Sequence, residues 1–462
     1  MEDSISLGMS EFEQKLKVIK QCQIGSIFTN SVNLPDDALL NLGHSLIFAA
    51  GGEGQKFSTP IEEEETVGFA WDIIIVIAMF PLFSPVPFAE KAILGLFKIC
   101  VKLLSSTRTE RLPEELIFKS INLMWKLDKE ILDTCCEAIT KSVGKILTDY
   151  PANLQTSLGW KTCLHLLSVT GRRPETYDQG VDTLIKMISD ATHVSRINYA
   201  YCIDCAFGFI ALKNSPLDKN LKILDLLADS VNLLIQWYKD YSESGSNYSI
   251  ASSTSNSSLE DNRAFGSPNL AVTLFLKLGE AFRKTSWARR EEIRNQAILS
   301  LQKSFALSEE LDSSPPNCIS YFNLVIFAMV DDMQEKMVEY SRCKNAEREA
   351  RSMEGTLILA RELLTDVYLK FLKQITMSPE FRTFWLGVLR RMDTCMKADL
   401  GDYVETRLQE AIPDLLRKII TKMKDEEILV SNEEDDLWEI TYIQIQRIAP
   451  FLKEELFPEE EI

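Results

Sequence analysis

The spacing of apolar residues constrains this 462-residue chain more than any other feature, because it follows the period of a helix almost everywhere. In REEIRNQAILSLQKSF, residues 290–305, Ile293, Ala297, Leu301 and Phe305 recur every four residues and share one face. The small Ala297 in the middle of that face suits a close approach of two helices. The pattern predicts a helix that buries one apolar stripe against a neighbour.

The order of residues within this stretch indicates how such a helix is used. The pattern Ile-Arg-Asn-x-Ala-x-x-x-Leu is typical of the second helix of a HEAT-type repeat, in which Arg294 bridges to an adjacent repeat while Ile293 and Ala297 pack inward. Helix pairs of this kind cannot bury their apolar faces alone and therefore stack. We predict an all-α, HEAT/armadillo-like helical-repeat superhelix; an ordinary amphipathic helix in a bundle is the alternative.

One segment also resembles a strand. In ITYIQIQ, residues 440–446, β-branched residues alternate with polar ones, but the apolar residues from Trp438 to Leu452 fit a helix as well. We prefer the helix. A clearer stripe starts at Trp385 and continues through Leu389, Met392 and Met396, and Trp385 is expected in the core.

Composition and charge exclude several classes of protein. With 45% hydrophobic residues the chain has enough apolar surface for a large core, and a net charge of −18 argues against a nucleic-acid binder. The polar, acidic start does not resemble a secretory signal, so the ten cysteines are expected to be reduced core residues of a cytosolic protein. The longest apolar run, Ile73 to Phe80, is too short to span a bilayer.

A serine-rich segment marks the best internal boundary. Residues 241–268 contain little that could be buried, so they cannot offset the entropy lost on ordering, and we predict a disordered linker. This divides the chain into a helical-repeat segment over residues 1–240 and a second one with an acidic tail over residues 269–462.

Residues that could carry chemistry are sparse. Cys163 and His165 are two apart and lie on different faces of a helix, so they do not form a local nucleophile and base. Cys202 and Cys205 form a lone C-x-x-C without a second pair at zinc spacing, and core packing is the favoured interpretation. No phosphate-binding loop or hydrolase motif is present. We therefore expect no catalytic, metal-binding or cofactor-binding residues.

Three basic pairs are the candidate interaction residues. The first two pairs could each contact a phosphoinositide headgroup or an acidic partner, although such residues more often solvate the end of a helix. The third pair is expected at a solvated edge. The six candidates are Arg172, Arg173, Arg289, Arg290, Arg390 and Arg391.

Ten blocks of sequence, in order over nearly the whole chain, resemble one family. The family is the large Arf guanine-nucleotide exchange factors of the GNOM and Golgi brefeldin-A-resistance type, and the plant GNOM-like members are the most similar. The resemblance is to their C-terminal, helical region downstream of the catalytic SEC-seven domain. The blocks are VIKQCQIGSIFTNSVNLP, LGHSLIFAAGG, EEEETVGFAWDIIIVIA, FAEKAILGLFKIC, GWKTCLHLLSVTGRRPE, REEIRNQAILSLQKSF, SMEGTLILARELLTDVYLKFL, FWLGVLRRMDTCMK, LQEAIPDLLRKIITKMK and LWEITYIQIQRIAPFLKEELFPEEE.

The family's catalytic motif has no good match here. ERLPEEL echoes its Phe-Arg-Leu-Pro-Gly-Glu through Arg111, Leu112, Pro113 and Glu115, but Glu114 replaces the glycine. A helix whose first turn holds Pro113 and Glu114 explains the segment better. We expect no enzyme activity from this chain alone.

The chain differs from the family at one position in the sequence. Relatives run further between DIIIVIA and FPLFSPVPFAEKA, and here the two halves join directly near residues 79–80, which predicts an internal deletion.

The resemblance implies a regulatory and scaffolding role in Golgi and endosomal vesicle transport. Arf GTPase is the expected partner through the catalytic domain of the parent protein, with possible self-association. The chain is expected in the cytoplasm, peripherally on Golgi or endosomal membranes, and without nucleic acid. A generic HEAT-type adaptor or transport-receptor scaffold is one alternative, and an exchange factor active by itself is another.

Overall fold

Every regular element in the described residues of this computed structural model is a helix, as the apolar spacing predicts. Because the hydrogen bonds of a helix close within the element, the fold depends on how the apolar stripes meet. The described residues are 86–105, 111–122, 124, 129–244, 269–311, 313–343, 346–397, 407–431 and 436–457, with Gln21, Pro35, Ala38 and Ser45 as isolated positions.

The chain divides into two compact units between Met187 and Ile188. The described helices of the first unit are α1 (Val86–Leu104), α2 (Arg111–Asn122), α3 (Lys129–Asp149), α4 (Ser157–Thr170) and α5 (Tyr177–Ser189), whose last turn contains the division. Here α1 packs on α2 and α3, and α4 packs on the same two helices. Alternate helices therefore contact each other, as in a two-layer stack.

The second unit contains thirteen described α-helices and one π-helical turn, Phe322–Ile326. The helices are α6 (Tyr199–Ile210), α7 (Leu217–Asp229), α8 (Val231–Ser244), α9 (Leu270–Thr285), α10 (Glu291–Leu307), α11 (Pro315–Tyr321), α12 (Phe327–Arg342), α13 (Glu347–Lys370), α14 (Leu372–Thr376), α15 (Phe381–Lys397), α16 (Arg407–Asp425), α17 (Leu437–Ile448) and α18 (Pro450–Leu456).

Ten of these helices form five pairs that stack in two layers. The pairs are α6 with α7, α9 with α10, α12 with α13, α15 with α16, and α17 with α18. Within one layer α6, α9, α12, α15 and α17 contact each other in succession, and within the other α7, α10, α13, α16 and α18 do so. Each helix buries its stripe against the preceding and following pair. The second unit is thus a helical-repeat stack, and the predicted fold class is confirmed.

Helix α10 behaves as its sequence predicts. Ile293, Ala297, Leu301 and Phe305 are all buried, and α10 lies between α7 and α13 in its layer. Because both flanks of the helix are covered, Arg294 at the edge of the stripe is buried too.

The ambiguous segment near the C-terminal end is helical, as preferred. Thr441, Ile445 and Ile448 of α17 are buried, at a spacing of four and three residues. A half-buried strand would also have buried Ile443, which is 50% exposed. Trp385 of α15 is fully buried, as expected, and its indole Nε1 donates a hydrogen bond of 2.9 Å to Thr441 Oγ1.

The serine-rich segment does not coincide with the division between the compact units. Its first four residues, 241–244, continue α8, since the helix keeps its hydrogen-bonding pattern to Ser244. Residues 245–268 lie outside the described part of the chain. Helices α8 and α9, on either side of the segment, pack against each other within the second unit.

Two further expectations concern apolar sequence. The deletion predicted near residues 79–80 and the apolar run before it lie outside the described residues. Among the helices that the structure does describe, none combines the length and apolar character needed to cross a bilayer.

Candidate functional site: a basic cleft beside Trp287

One pair of candidate arginines, Arg289 and Arg290, lies in a cleft of about 720 Å³ in the second unit. The end of α6, the turn after it, α9 and the connection from α9 to α10 form its walls. Lys213, Lys277 and Lys284 join the two arginines along these walls. Five cations thus converge in a chain whose net charge is −18.

Only part of this positive charge is compensated within the cleft. Lys277 Nζ forms an ion pair of 2.8 Å with Asp204, and Glu280 is the other acidic residue of the walls. Lys213, Lys284 and a third cation, Arg289, are exposed. Their side chains have no hydrogen-bond or ion-pair partner among the described residues, so they are available to a ligand.

Arg290 has a structural role in the same walls. Its guanidinium donates from Nη1 to the Ser215 carbonyl oxygen at 2.7 Å and from Nη2 to Ser215 Oγ at 2.9 Å. Asn220 Nδ2 also donates to Ser215 Oγ, at 2.6 Å. These bonds tie the α9–α10 connection to the turn between α6 and α7. The positive charge of Arg290 stays uncompensated because all its acceptors are neutral.

Arg294 holds the connection from the other side. It is 5% exposed, and its Nη1 donates to the carbonyl oxygens of Ala288 and Arg289 at 3.2 and 3.0 Å. Its Nη2 donates to Ser352 Oγ at 2.6 Å and its Nε to Thr356 Oγ at 3.4 Å, both on α13. The predicted bridge from Arg294 to a neighbouring repeat is therefore present, and it also fixes a wall of the cleft.

Two aromatic side chains line the cleft. Trp287, in the α9–α10 connection, is 51% exposed, although tryptophan is usually well buried. The half-buried ring of Phe207 also lines the cleft and packs edge-to-face on Phe282, with ring centroids 5.7 Å apart. The cleft therefore offers apolar contact as well as positive charge.

Of the four candidate arginines in the other two pairs, three bind other side chains of the chain. Arg173 is paired with Asp133, and Arg172 donates to Ser168 Oγ. Arg391 donates to Asp331 at 2.6 Å, and its guanidinium carbon lies 3.9 Å from the centre of the Phe327 ring. The sixth candidate, Arg390, is exposed, and its side chain has no partner among the described residues.

The cysteines considered for chemistry are buried. Burial, and secondarily the nearby Glu114, raises the pKa of the Cys163 thiol, while burial followed by Arg172 and Lys161 lowers the pKa of His165. The pKa of Cys202 is also raised, mainly by burial. A protonated, buried thiol is a poor nucleophile and a poor metal ligand.

The remaining cysteines and acidic side chains do not form a metal site within the described residues. No group of three or more histidine, cysteine or acidic side chains within them is arranged to hold a metal ion. Cys343 is exposed, in contrast to the expected burial of the cysteines, because it follows the last turn of α12.

Sequence reasoning found the arginines of the cleft and missed its lysines. Lys284 precedes Trp287 by three residues, so its position close to Arg289 and Arg290 in the sequence could have predicted its place in the cleft. Lys213 lies over seventy residues before Arg289 in the sequence. Only the pairing of α6 with α9 brings it to the same cleft.

Comparison with known proteins shows which sequences the chain is similar to. Residues 275–452 match a family model described as a GBF1-like tetratricopeptide-repeat region. The chain is 59% identical to the ARF guanine-nucleotide exchange factor GNL2 of Arabidopsis thaliana, in an alignment that covers all of this chain and 35% of that protein. The exchange factors GNOM and GNL1 of the same plant are 31% and 28% identical, each over 98% of this chain and 31% of their own length.

The chain spans about a third of the length of these relatives. A solved circular tandem repeat protein aligns over 92% of this chain and 93% of its own at 12% identity, with a TM-score of 0.33. The match to GNL2 is much stronger than this structural match, because it combines 59% identity with coverage of every residue of this chain. Along its whole length the chain is a relative of one region of the GNOM-type ARF guanine-nucleotide exchange factors, as its ordered sequence blocks predicted.

Proposed function

We propose that this chain acts as a non-catalytic regulatory and scaffolding region of an ARF guanine-nucleotide exchange factor in Golgi and endosomal vesicle transport. The observation that carries the proposal is the 59% identity to GNL2 over the full chain. In this role the chain places and regulates a catalytic domain, through which the parent protein engages its Arf GTPase.

The architecture supports scaffolding. A stack of helix pairs presents extended surfaces formed by successive repeats, and such surfaces suit protein partners. The second unit has five such pairs within the described residues. Self-association and peripheral recruitment to Golgi or endosomal membranes belong to the same proposal, which involves no nucleic acid.

The environment of ERLPEEL supports a non-catalytic role. The segment from Arg111 onward is the first turn of α2. Glu114, at the position of the family motif's glycine, is buried and accepts hydrogen bonds from the backbone N–H groups of Gln155 and Thr156. A glycine position filled by a buried carboxylate that binds the start of another helix departs from the family motif, and this supports a structural role for the segment.

A nucleotide-release assay tests the absence of catalysis. Purified chain is added to Arf loaded with a fluorescent GDP analogue, and chelation of Mg²⁺ serves as the positive control for release. We expect the rate to stay at its spontaneous value. Acceleration that Glu115→Ala abolishes would instead establish the alternative of a self-sufficient exchange factor.

A localisation experiment tests the cellular role. The full chain, fused to a fluorescent protein, is expressed in plant cells with Golgi and endosomal markers, and its partners are recovered by affinity purification. We expect peripheral membrane signal and co-purification of ARF exchange factors. Diffuse signal with cargo or transport proteins as the dominant partners would favour a generic helical adaptor unrelated to Arf.

A further inference from the structure

We propose that the basic cleft beside Trp287 is a docking site for an acidic peptide segment of a partner protein, one that carries an aromatic or branched aliphatic side chain among its acidic residues. The proposal assigns a ligand class to the cleft. Because binding can be measured on the purified chain, it does not depend on the scaffold role proposed above.

Charge complementarity is the first argument. Five cations and two anions line the cleft, and Lys277 and Asp204 compensate each other. Lys213, Lys284 and Arg289 are left without a partner among the described residues and point to an anionic ligand. Complementary charge speeds encounter and selects the partner, and it acts over about 8–10 Å at physiological salt.

Apolar contact is the second argument. A ligand that used charge alone would leave the half-exposed Trp287 and the half-buried Phe207 uncovered. Tryptophan and arginine are the residues that most often dominate binding energy at protein interfaces. Their combination here fits a peptide that presents an apolar side chain between carboxylates, and it fits a simple inorganic anion poorly.

Rigidity is the third argument. The α9–α10 connection is tied to the α6–α7 turn through Arg290 and Ser215, and to α13 through Arg294. The Arg294 guanidinium also binds the carbonyl oxygens of Ala288 and Arg289, the two residues that follow Trp287 in the connection. A site held in this way loses little freedom when a ligand binds, and this increases affinity.

The shape of the site favours a peptide over a membrane. The cations line the walls of a cleft between helices, whereas a bilayer presents its phosphates as a broad surface that cannot enter one. An extended peptide can place a side chain at Phe207 while its carboxylates reach the walls. Membrane binding through the same cations is thus the competing outcome of the test.

The test uses the full chain and a fluorescein-labelled peptide, Asp-Glu-Glu-Asp-Leu-Phe-Asp-Glu-Glu-Asp, with binding followed by fluorescence anisotropy at low and physiological salt. Two control peptides replace all acidic residues by their amides, or Leu-Phe by Ala-Ala. We expect the acidic Leu-Phe peptide to bind more tightly than either control, with affinity that falls as salt rises.

Variants identify the site. Lys213→Glu, Lys284→Glu, Arg289→Glu and Trp287→Ala should each weaken binding about tenfold, equivalent to about 1.4 kcal/mol. Arg390→Glu makes the same charge change at an exposed arginine outside the cleft and should leave binding unchanged. All five side chains are exposed, so the thermal stability of the variants should match that of the parent chain.

Three outcomes would overturn the proposal. They are no peptide binding at low salt, equal losses in Arg390→Glu and the cleft variants, and binding of vesicles containing phosphatidylserine that the cleft variants abolish while no peptide binds. The first would show that the cleft does not accept this ligand class. The second would reduce the effect to overall charge, and the third would assign the cations to a membrane surface.

Discussion

At the scale of single residues, Arg294 links the repeat stack to the cleft. It is buried, yet the four acceptors of its hydrogen bonds are all neutral: two carbonyl oxygens of the α9–α10 connection and two hydroxyls of α13. Ser352 in turn donates to Glu291, and Thr356 to Asn295, so the acceptors of Arg294 are themselves held by α10. A planar guanidinium with several donors can serve four acceptors at once.

Replacing Arg294 by lysine should be destabilising although the charge is kept. An ammonium group on a single nitrogen cannot reach both the connection and α13, and unsatisfied buried groups cost about 3 kcal/mol. The expected loss in Tm is roughly 6–12 °C for a unit of this size. Differential scanning calorimetry measures it, with the exposed Arg289→Lys as the matched control. An unchanged Tm in Arg294→Lys would contradict the bridging role.

The sequence predicted which arginines matter better than it predicted what they do. The bridging role of Arg294 follows from its position beside an apolar stripe, a local pattern. Arg290 and Arg391 were expected at the surface, but they bind Ser215 and Asp331, which lie 75 and 60 residues away along the chain. Helical periodicity shows which face a side chain is on, and it contains no information about a partner that distant.

At the scale of elements, the N-terminus of α4 is capped from another helix. The first N–H groups of a helix lack partners within it. Thr156 accepts from the Gly159 N–H at 3.1 Å and donates its hydroxyl to Glu114 at 2.7 Å, while the backbone N–H groups of Gln155 and Thr156 also donate to Glu114. Glu114 of α2 thus stabilises α4 and the contact between the two helices.

Gly159 is required by this cap, and a double-mutant cycle tests the coupling. A Cβ at position 159 would lie 2.7 Å from Glu114 Oε1, so Gly159→Ala should destabilise the chain despite the higher helix propensity of alanine, which is worth about 1 kcal/mol. Glu114→Ala should cost about 1–3 kcal/mol through lost hydrogen bonds. In the double variant the added methyl group no longer meets the carboxylate.

We therefore expect the free energy of unfolding of the double variant to be about 1 kcal/mol higher than the two single changes, added together, would predict. Urea unfolding followed by circular dichroism measures the three variants, and Glu137→Ala, an exposed glutamate of α3, is the control. Strict additivity would show that Gly159 and Glu114 act independently, contrary to the geometry.

The sequence predicted helices correctly where the apolar residues lie on one face of the helix. The stripes through Ile293 and Trp385 lie buried in α10 and α15. The segment around Ile443 was ambiguous because a short run of β-branched residues satisfies both periods. Its outcome depends on α15, since Trp385 binds Thr441 and so selects the face of α17 that is buried.

At the scale of the molecule, the serine-rich segment interrupts the helical sequence, but the helices before and after it pack together in one stack. Composition identifies residues that cannot build a core, but it does not show which helices pack together on either side. Here α9 contacts α6 and α8, and α10 contacts α7, all within the second unit. Each of these contacts joins a helix before residue 245 to a helix after residue 268.

Cleavage of the serine-rich segment should therefore leave the second unit assembled. A site for a specific viral protease, inserted between residues 245 and 268, allows the purified chain to be cut once. The two fragments should elute together on size-exclusion chromatography in native buffer and separate in urea, because α9 and α10 bury apolar faces against α6, α7 and α8. Residues 269–462 expressed alone, with those faces uncovered, should be less stable or aggregate. Fragments that separate in native buffer while each keeps its helical circular dichroism would instead make the serine-rich segment a true boundary between two independent folding units.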